Sequence, residues 1–100
     1  MSNNDIIDKL SSPETQKFLK ACSIQNLRLF GSRAKNNFTD DSDVDLLYKI
    51  DNSASRKNFA FFRGISYLKD LLQKDIDMVS IDYIDADIRS EVLASKITVW

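Results

Sequence analysis

The sequence predicts an α/β (α+β) domain, a small mixed β-sheet flanked by helices, because segments with the two-residue period of a strand alternate with segments of helical period. Two further observations support this. One hundred residues suit a single domain, expected to span 1–100, and 43% hydrophobic with 29% charged residues is a globular composition. No repeat, low-complexity tract or linker divides the chain.

Ser11-Ser12-Pro13-Glu14 reads as a helix start, with Ser11 as cap, Glu14 completing a capping box and proline tolerated in the first turn; the helix runs to about Cys22. Leu27 to Phe30 is a short buried strand stopped by Gly31, and Ser32 to Lys35 a short helix after a tight turn. Residues 36–42 (NNFTDDS) are turn chemistry. From Asp43 to Ile50, Val44, Leu46, Tyr48 and Ile50 alternate with Asp43, Asp45, Leu47 and Lys49, the period of a strand. After a polar turn over 51–55 comes the longest helix, to about Lys74, whose core stripe is Phe61, Ile65, Leu68 and Leu72. Ile76 to Ile81 is a third strand. Ile84 to Ile97 carries Ile88, Val92 and Leu93 at helical spacing, and Val99-Trp100 ends the sequence either as a last short strand or as an exposed apolar anchor.

Composition removes several chemistries. Histidine is absent and cysteine occurs once, so there is no Ser-His-Asp triad, no His-ligated zinc and no multi-cysteine metal knuckle. Gly31 and Gly64 are too far apart for a glycine-rich phosphate loop. Carboxylate, hydroxyl and guanidinium chemistry remains. A net charge of -1 supplies no bulk attraction to a phosphate backbone, which argues against duplex DNA as a partner. The first eight residues hold Asp5 and Asp8 and no long apolar core, and no apolar run approaches the roughly 18 residues of a membrane span, so a cytoplasmic location is expected. Cys22 lies in an apolar helical register and is expected to be a buried thiol. A chain of this length buries only about two-thirds of its unfolded surface, so an active surface should be shallow or completed by a partner.

Three places converge on one chemistry. Gly31-Ser32 sits at a strand-to-helix turn, where a glycine lets backbone approach an anion and the free N–H groups of a helix start favour negative charge. Asp43 and Asp45, two apart on one strand, point to the same side about 6.6 to 7 Å apart at Cα, a spacing that grips divalent cations. Asp77 joins them if its strand lies alongside. Two carboxylates about 4 Å apart repel by about 4 kcal/mol at an effective dielectric near 20, a large load on a domain stable by about 5 to 15 kcal/mol. Such a cluster calls for a cation or a shared proton. Separately, each part has a plainer reading, as a solvated acidic turn or a strand-ending glycine. A Ca²⁺ loop from Asp41 fails, because Leu46 stands where glycine is required and Asn52 where glutamate is.

Taken together, LRLFGSRAKNNFTDDSDVDLLYKI followed by DIDMVS resembles the minimal nucleotidyltransferase family of the DNA polymerase β-like superfamily. The resemblance implies the nucleotidyltransferase fold, with Gly31 and Ser32 at the nucleotide, Arg33 as a further nucleotide-binding residue or an ion pair at the helix start, and Asp43, Asp45 and Asp77 as catalytic ligands of two Mg²⁺ ions. Lys35-Asn36 stands where the family often has Arg-Gly, a change that asparagine tolerates in a left-handed turn. Asp75 competes with Asp77 by parity. Asp77 is preferred because Met78-Val79 follows it, as in the family's pattern. The implied reaction moves a nucleoside monophosphate, AMP from ATP, to a hydroxyl with loss of pyrophosphate. The implied context is an antitoxin paired with a HEPN-domain toxin, the acceptor being a toxin tyrosine; the alternative is a binding module that neutralises a toxin without catalysis. Homo-oligomerisation is left open.

Phe59, Phe61, Phe62 and Tyr67 crowd one helix and are read as packing rather than as a base-stacking platform. Arg56, Lys57, Arg63, Lys69 and Lys74 are read as a solvated helix face.

Overall fold

The structure, a computed structural model, describes residues 2–35, 38–39, 41–51 and 58–100, and only the backbone of Asn58, Phe59, Ile88 and Glu91. Part of the turn expected over 36–42, most of that over 51–55, and Arg56 and Lys57 lie outside the described residues.

The chain opens with a helix that the sequence reading did not assign, α1 (Asn3–Leu10). Its start is a reciprocal capping box, Ser2 Oγ accepting from the Asp5 N–H while Asp5 accepts from the Ser2 N–H, and Ile6 and Leu10 are fully buried. Helix α2 (Pro13–Ala21) is capped by Ser12 rather than Ser11: Ser12 Oγ accepts from the Thr15 N–H, and Ser11 instead closes α1 by donating its hydroxyl to the Ile7 carbonyl. The earlier helix accounts for the difference, since Ser11 is already used as its C-terminal cap.

Strands β1 (Ile24–Phe30), β2 (Val44–Ile50), β3 (Ile76–Ser80) and β4 (Ile97–Thr98) form one mixed sheet in the order β3-β2-β1-β4. β1 runs antiparallel to β2 and β4, whereas β2 and β3 are parallel and joined through helix α4 (Asn58–Leu72), as a parallel pair requires. β1 is longer than predicted, because a bulge hides its first half from a period-two reading. The register slips between Gln25 and Arg28, with Asn26 in the left-handed region at φ 56°. That extra residue lets Ile24, Leu27 and Leu29 all enter the core, and it sends Arg28 and Phe30 to the opposite face.

The core lies on one face of the sheet, where Leu29, Val44, Leu46 and Tyr48 meet Ile6, Leu10, Leu19, Leu68 and Leu72. The buried stripe of α4 is Ala60, Gly64, Leu68 and Leu72, a correction of one position to the predicted Phe61 and Ile65, which are half-buried flanks. Small residues set the closest approach: a Cβ on Gly64 would come 2.9 Å from Ile24 Cδ1. Phe61 packs on Tyr48, Tyr67 stacks on Phe18, Phe62 is exposed, and Arg63 and Lys69 are solvated as expected while Lys74 is half-buried. Cys22 is buried, and burial pushes its thiol pKa up.

A single 3₁₀ turn, Ile81–Tyr83, leads to helix α5 (Ala86–Ser95), shorter than predicted, in which Val92 is buried and Leu93 exposed. The chain then returns to the sheet as β4, two residues earlier than the strand expected at Val99-Trp100; those two are half-buried beyond it, with both their N–H groups donating to the Leu27 carbonyl, and are not an exposed anchor. Among the described residues, no helix is long and apolar enough to cross a membrane.

Candidate active site

The face of the sheet opposite the core carries the charged residues. β1 ends at Phe30, which pairs with Asp45 of β2, and the next residue, Gly31, opens the one-turn helix α3 (Gly31–Ala34) at φ 73°. Only glycine adopts that conformation readily. Space requires it as well, since a Cβ at Gly31 would collide with the Asp45 carboxylate. The tight turn therefore brings the start of α3 against Asp45. Ser32, half-buried, has no hydrogen-bond partner for its hydroxyl among the described residues.

On the other side of Asp45 stands Asp77, its register partner in the parallel β2–β3 ladder. Neighbours in register share a face, so these two carboxylates project together. Asp43 lies one residue before β2 begins, not within it, and is exposed, as is Asp77. Burial holds the Asp45 pKa above the ordinary aspartate value, with further rises from the charges of Asp77 and then Asp43; no cation is among its influences. Asp75 takes a different place. It precedes β3, its carbonyl accepts from the Val44 N–H, and its side chain lines a small polar hollow of about 250 Å³ with Asp41, Gln73 and Lys74. Among the described residues no three acidic or sulfur side chains converge tightly enough to hold one ion.

Arg33, expected at the nucleotide or in an ion pair at the helix start, is turned inward in this structure. Its side chain is fully buried and its guanidinium donates to the Ser42 carbonyl at 3.0 Å and the Thr39 carbonyl at 3.4 Å, with Phe38 stacked 4.7 Å from it. Ser42 immediately precedes Asp43, so Arg33 fixes the loop that delivers the first aspartate. Sequence reasoning missed the partner of this arginine, Asn3, whose Nδ2 donates to the Arg33 carbonyl at 2.6 Å and whose Oδ1 accepts from Arg33 Nη1 at 3.4 Å. The signal available was the Ser2-x-x-Asp5 capping box followed by Ile6 and Leu10.

A mixed sheet that sets an Asp-x-Asp pair, a third aspartate in parallel register and a glycine–serine turn side by side defines the class as a nucleotidyltransferase. Independent comparison gives the same answer with finer grain. The family model described as polymerase beta, nucleotidyltransferase, matches residues 14–100, and the chain belongs to that family. The match begins after α1, so the helix that clamps Arg33 lies outside it.

Among solved structures, a candidate minimal nucleotidyltransferase superposes with a TM-score of 0.68 at 27% identity, covering 97% of this chain and 95% of that one. A toxin–antitoxin structure with AMP-PNP gives 0.67 at 21% identity, covering 94% and 72%. The MNT antitoxin structure from Shewanella oneidensis, in complex with a tri-AMPylated HEPN toxin, gives 0.59 at 20% identity, covering 92% and 71%. The last two share the fold. No curated protein matches the chain by sequence.

Proposed function

We propose that the chain, as one domain spanning 1–100, is a cytoplasmic Mg²⁺-dependent nucleotidyltransferase that moves AMP from ATP to a tyrosine hydroxyl of a HEPN-type toxin and so acts as an antitoxin. The observation that carries this reading is the register of Asp45 beside Asp77, with Gly31 pressed against the Asp45 carboxylate. Oxygen ligands of this kind suit Mg²⁺, and like charges that raise the Asp45 pKa are the condition a cation relieves. Asp77 shares the Asp45 register, and both Asp77 and Asp43 are exposed to an incoming ion. Asp43, Asp45 and Asp77 would thus hold the metal, which when bound polarises the phosphoryl oxygens and acidifies the acceptor hydroxyl.

The chain's own residues supply the rest. Gly31 leaves room for the Asp45 carboxylate against the turn, the Ser32 hydroxyl donates to a phosphate there, and Arg33 holds the Asp43 loop in place from beneath. The acceptor oxygen attacks the α-phosphorus, the bond to the β-phosphate oxygen breaks, pyrophosphate leaves and the hydroxyl proton passes to the Asp77 carboxylate. The exposed position of Asp77 suits an acceptor presented by another protein. The AMP-PNP and AMPylated-toxin complexes of the structural neighbours support both the nucleotide and the acceptor.

The test is intact-mass analysis of a HEPN toxin carrying Arg-x4-His, encoded beside this chain and co-expressed with it. Adenylylated toxin with the wild type and unmodified toxin with the Asp43→Ala, Asp45→Ala double variant is the expected result. Equal neutralisation by both forms without added AMP would overturn the reading in favour of a binding module.

A further inference from the structure

The same face of the sheet holds a cation that no group among the described residues answers. Arg28 pairs across the sheet with Leu47 of β2 and Thr98 of β4, one layer from the Phe30, Asp45 and Asp77 layer. It reaches that face only because of the bulge at Asn26; without the extra residue its parity would place it in the apolar core. The side chain is half-buried, and its Nη1 is shut off from solvent with no hydrogen-bond partner. A buried guanidinium donor left unmade is costly, and because the residue as a whole is only half-buried, a turn of its side chain would carry that donor to an acceptor arriving at the surface.

Charges of opposite sign thus stand on one face. Asp45 and Asp77 share a register, and one layer along, about 6.6 to 7 Å at Cα, Arg28 holds a donor with no acceptor among the described residues. A ligand that satisfies both must carry metal at one end and oxyanions at the other, as a metal-bound polyphosphate does. A carboxylate ligand would add to the acidic cluster instead of relieving it.

We propose that Arg28 is a nucleotide-binding residue, its guanidinium taking a phosphate oxygen of the nucleoside triphosphate seated over Asp45 and Asp77; this rests on the nucleotidyltransferase reading above. Arg28 would then read phosphate charge rather than the base, and its planar fork would be used in full only when ligand is bound.

The experiment is equilibrium binding of ATP and of adenosine, each with Mg²⁺, by the wild type, Arg28→Met and Arg28→Lys, alongside thermal denaturation of each. Methionine keeps the unbranched stem and removes the charge. The expected result is ATP affinity weakened about tenfold or more in Arg28→Met, adenosine affinity unchanged, and a melting temperature at or above that of the wild type because an unanswered donor is gone. Arg28→Lys should fall between the two. Equal ATP affinity in wild type and Arg28→Met overturns the proposal while leaving the nucleotidyltransferase reading intact. Failure of the wild type to bind ATP removes both. Should Arg28→Met not fold, an unchanged ATP affinity in Arg28→Lys overturns the proposal and a several-fold loss supports it.

Discussion

Asp45 and Asp77 occupy matching positions on adjacent parallel strands, and the consequence is electrostatic: burial raises the Asp45 pKa first, and the Asp77 and Asp43 charges raise it further. In the metal-free protein the folded chain therefore holds this proton more tightly than the unfolded chain does. Stability from the group is fully present below the unfolded aspartate value, about 3.9, and is lost as pH rises through the higher folded value. Asp45→Asn should accordingly melt higher than the wild type at neutral pH, with the gap closing towards acid. Mg²⁺ should raise the wild-type melting point at neutral pH and leave Asp45→Asn almost unmoved. Calorimetry across pH 3 to 8 with and without Mg²⁺ checks both signs.

Gly31 should be the least replaceable residue at the site. Alanine there meets the Asp45 carboxylate and must hold φ near 73°. The strain alone costs about 1 to 3 kcal/mol. Pairing Gly31→Ala with Asp45→Ala should recover part of the loss, the part due to collision, and leave the backbone part. Urea denaturation of the two single variants and the double variant measures the split.

The positions of Gly31, Asp45 and Asp77 in the fold were legible because chemistry marks them: aspartates inside apolar strands and a glycine after one are costly choices that a period-two pattern exposes. What escaped was carried by residues with little hydrophobic signal. Ala60 and Gly64 form the seam of α4 because they are small, whereas Phe61 and Ile65 draw the eye and flank it. The Asn26 bulge shifts parity inside β1, so Leu27 alone seemed to start the strand. α1 was hidden by its length and polarity, with two fully buried residues among its eight. The role of Arg33 was illegible because its partners, Asn3 and the carbonyls of Thr39 and Ser42, are set by tertiary contact.

That placement of Arg33 yields a distinct expectation. A guanidinium that bonds two loop carbonyls and Asn3 while fully buried is structural, so Arg33→Met should cost about 2 to 4 kcal/mol. Lysine should not restore it, having no fork to span the two carbonyls. ATP affinity, measured where the variant remains folded, should change less than stability does. A large loss of ATP binding with stability preserved would show the arginine meeting phosphate directly.

Trp100 joins the last segment to the first. Its Nε1 donates to the Leu10 carbonyl at 2.8 Å, its ring lies 5.7 Å from the Lys20 ammonium, and it packs on the core cluster beside Val99. The Leu10 carbonyl is at the C-terminal end of α1, where the last carbonyls lack intrahelical donors. Replacing the indole removes that donor and the packed area together. Trp100→Phe should cost about 1 kcal/mol, chiefly for the hydrogen bond, and Trp100→Ala about 3 to 5 kcal/mol. Because α1 also supplies Asn3 to Arg33, loosening Trp100 should propagate to the loop before Asp43. Hydrogen exchange of the Ser42 and Val44 amides should then quicken in Trp100→Ala, together with amides of α1. Faster exchange in α1 alone would mean that the helix end and the aspartate loop are held independently.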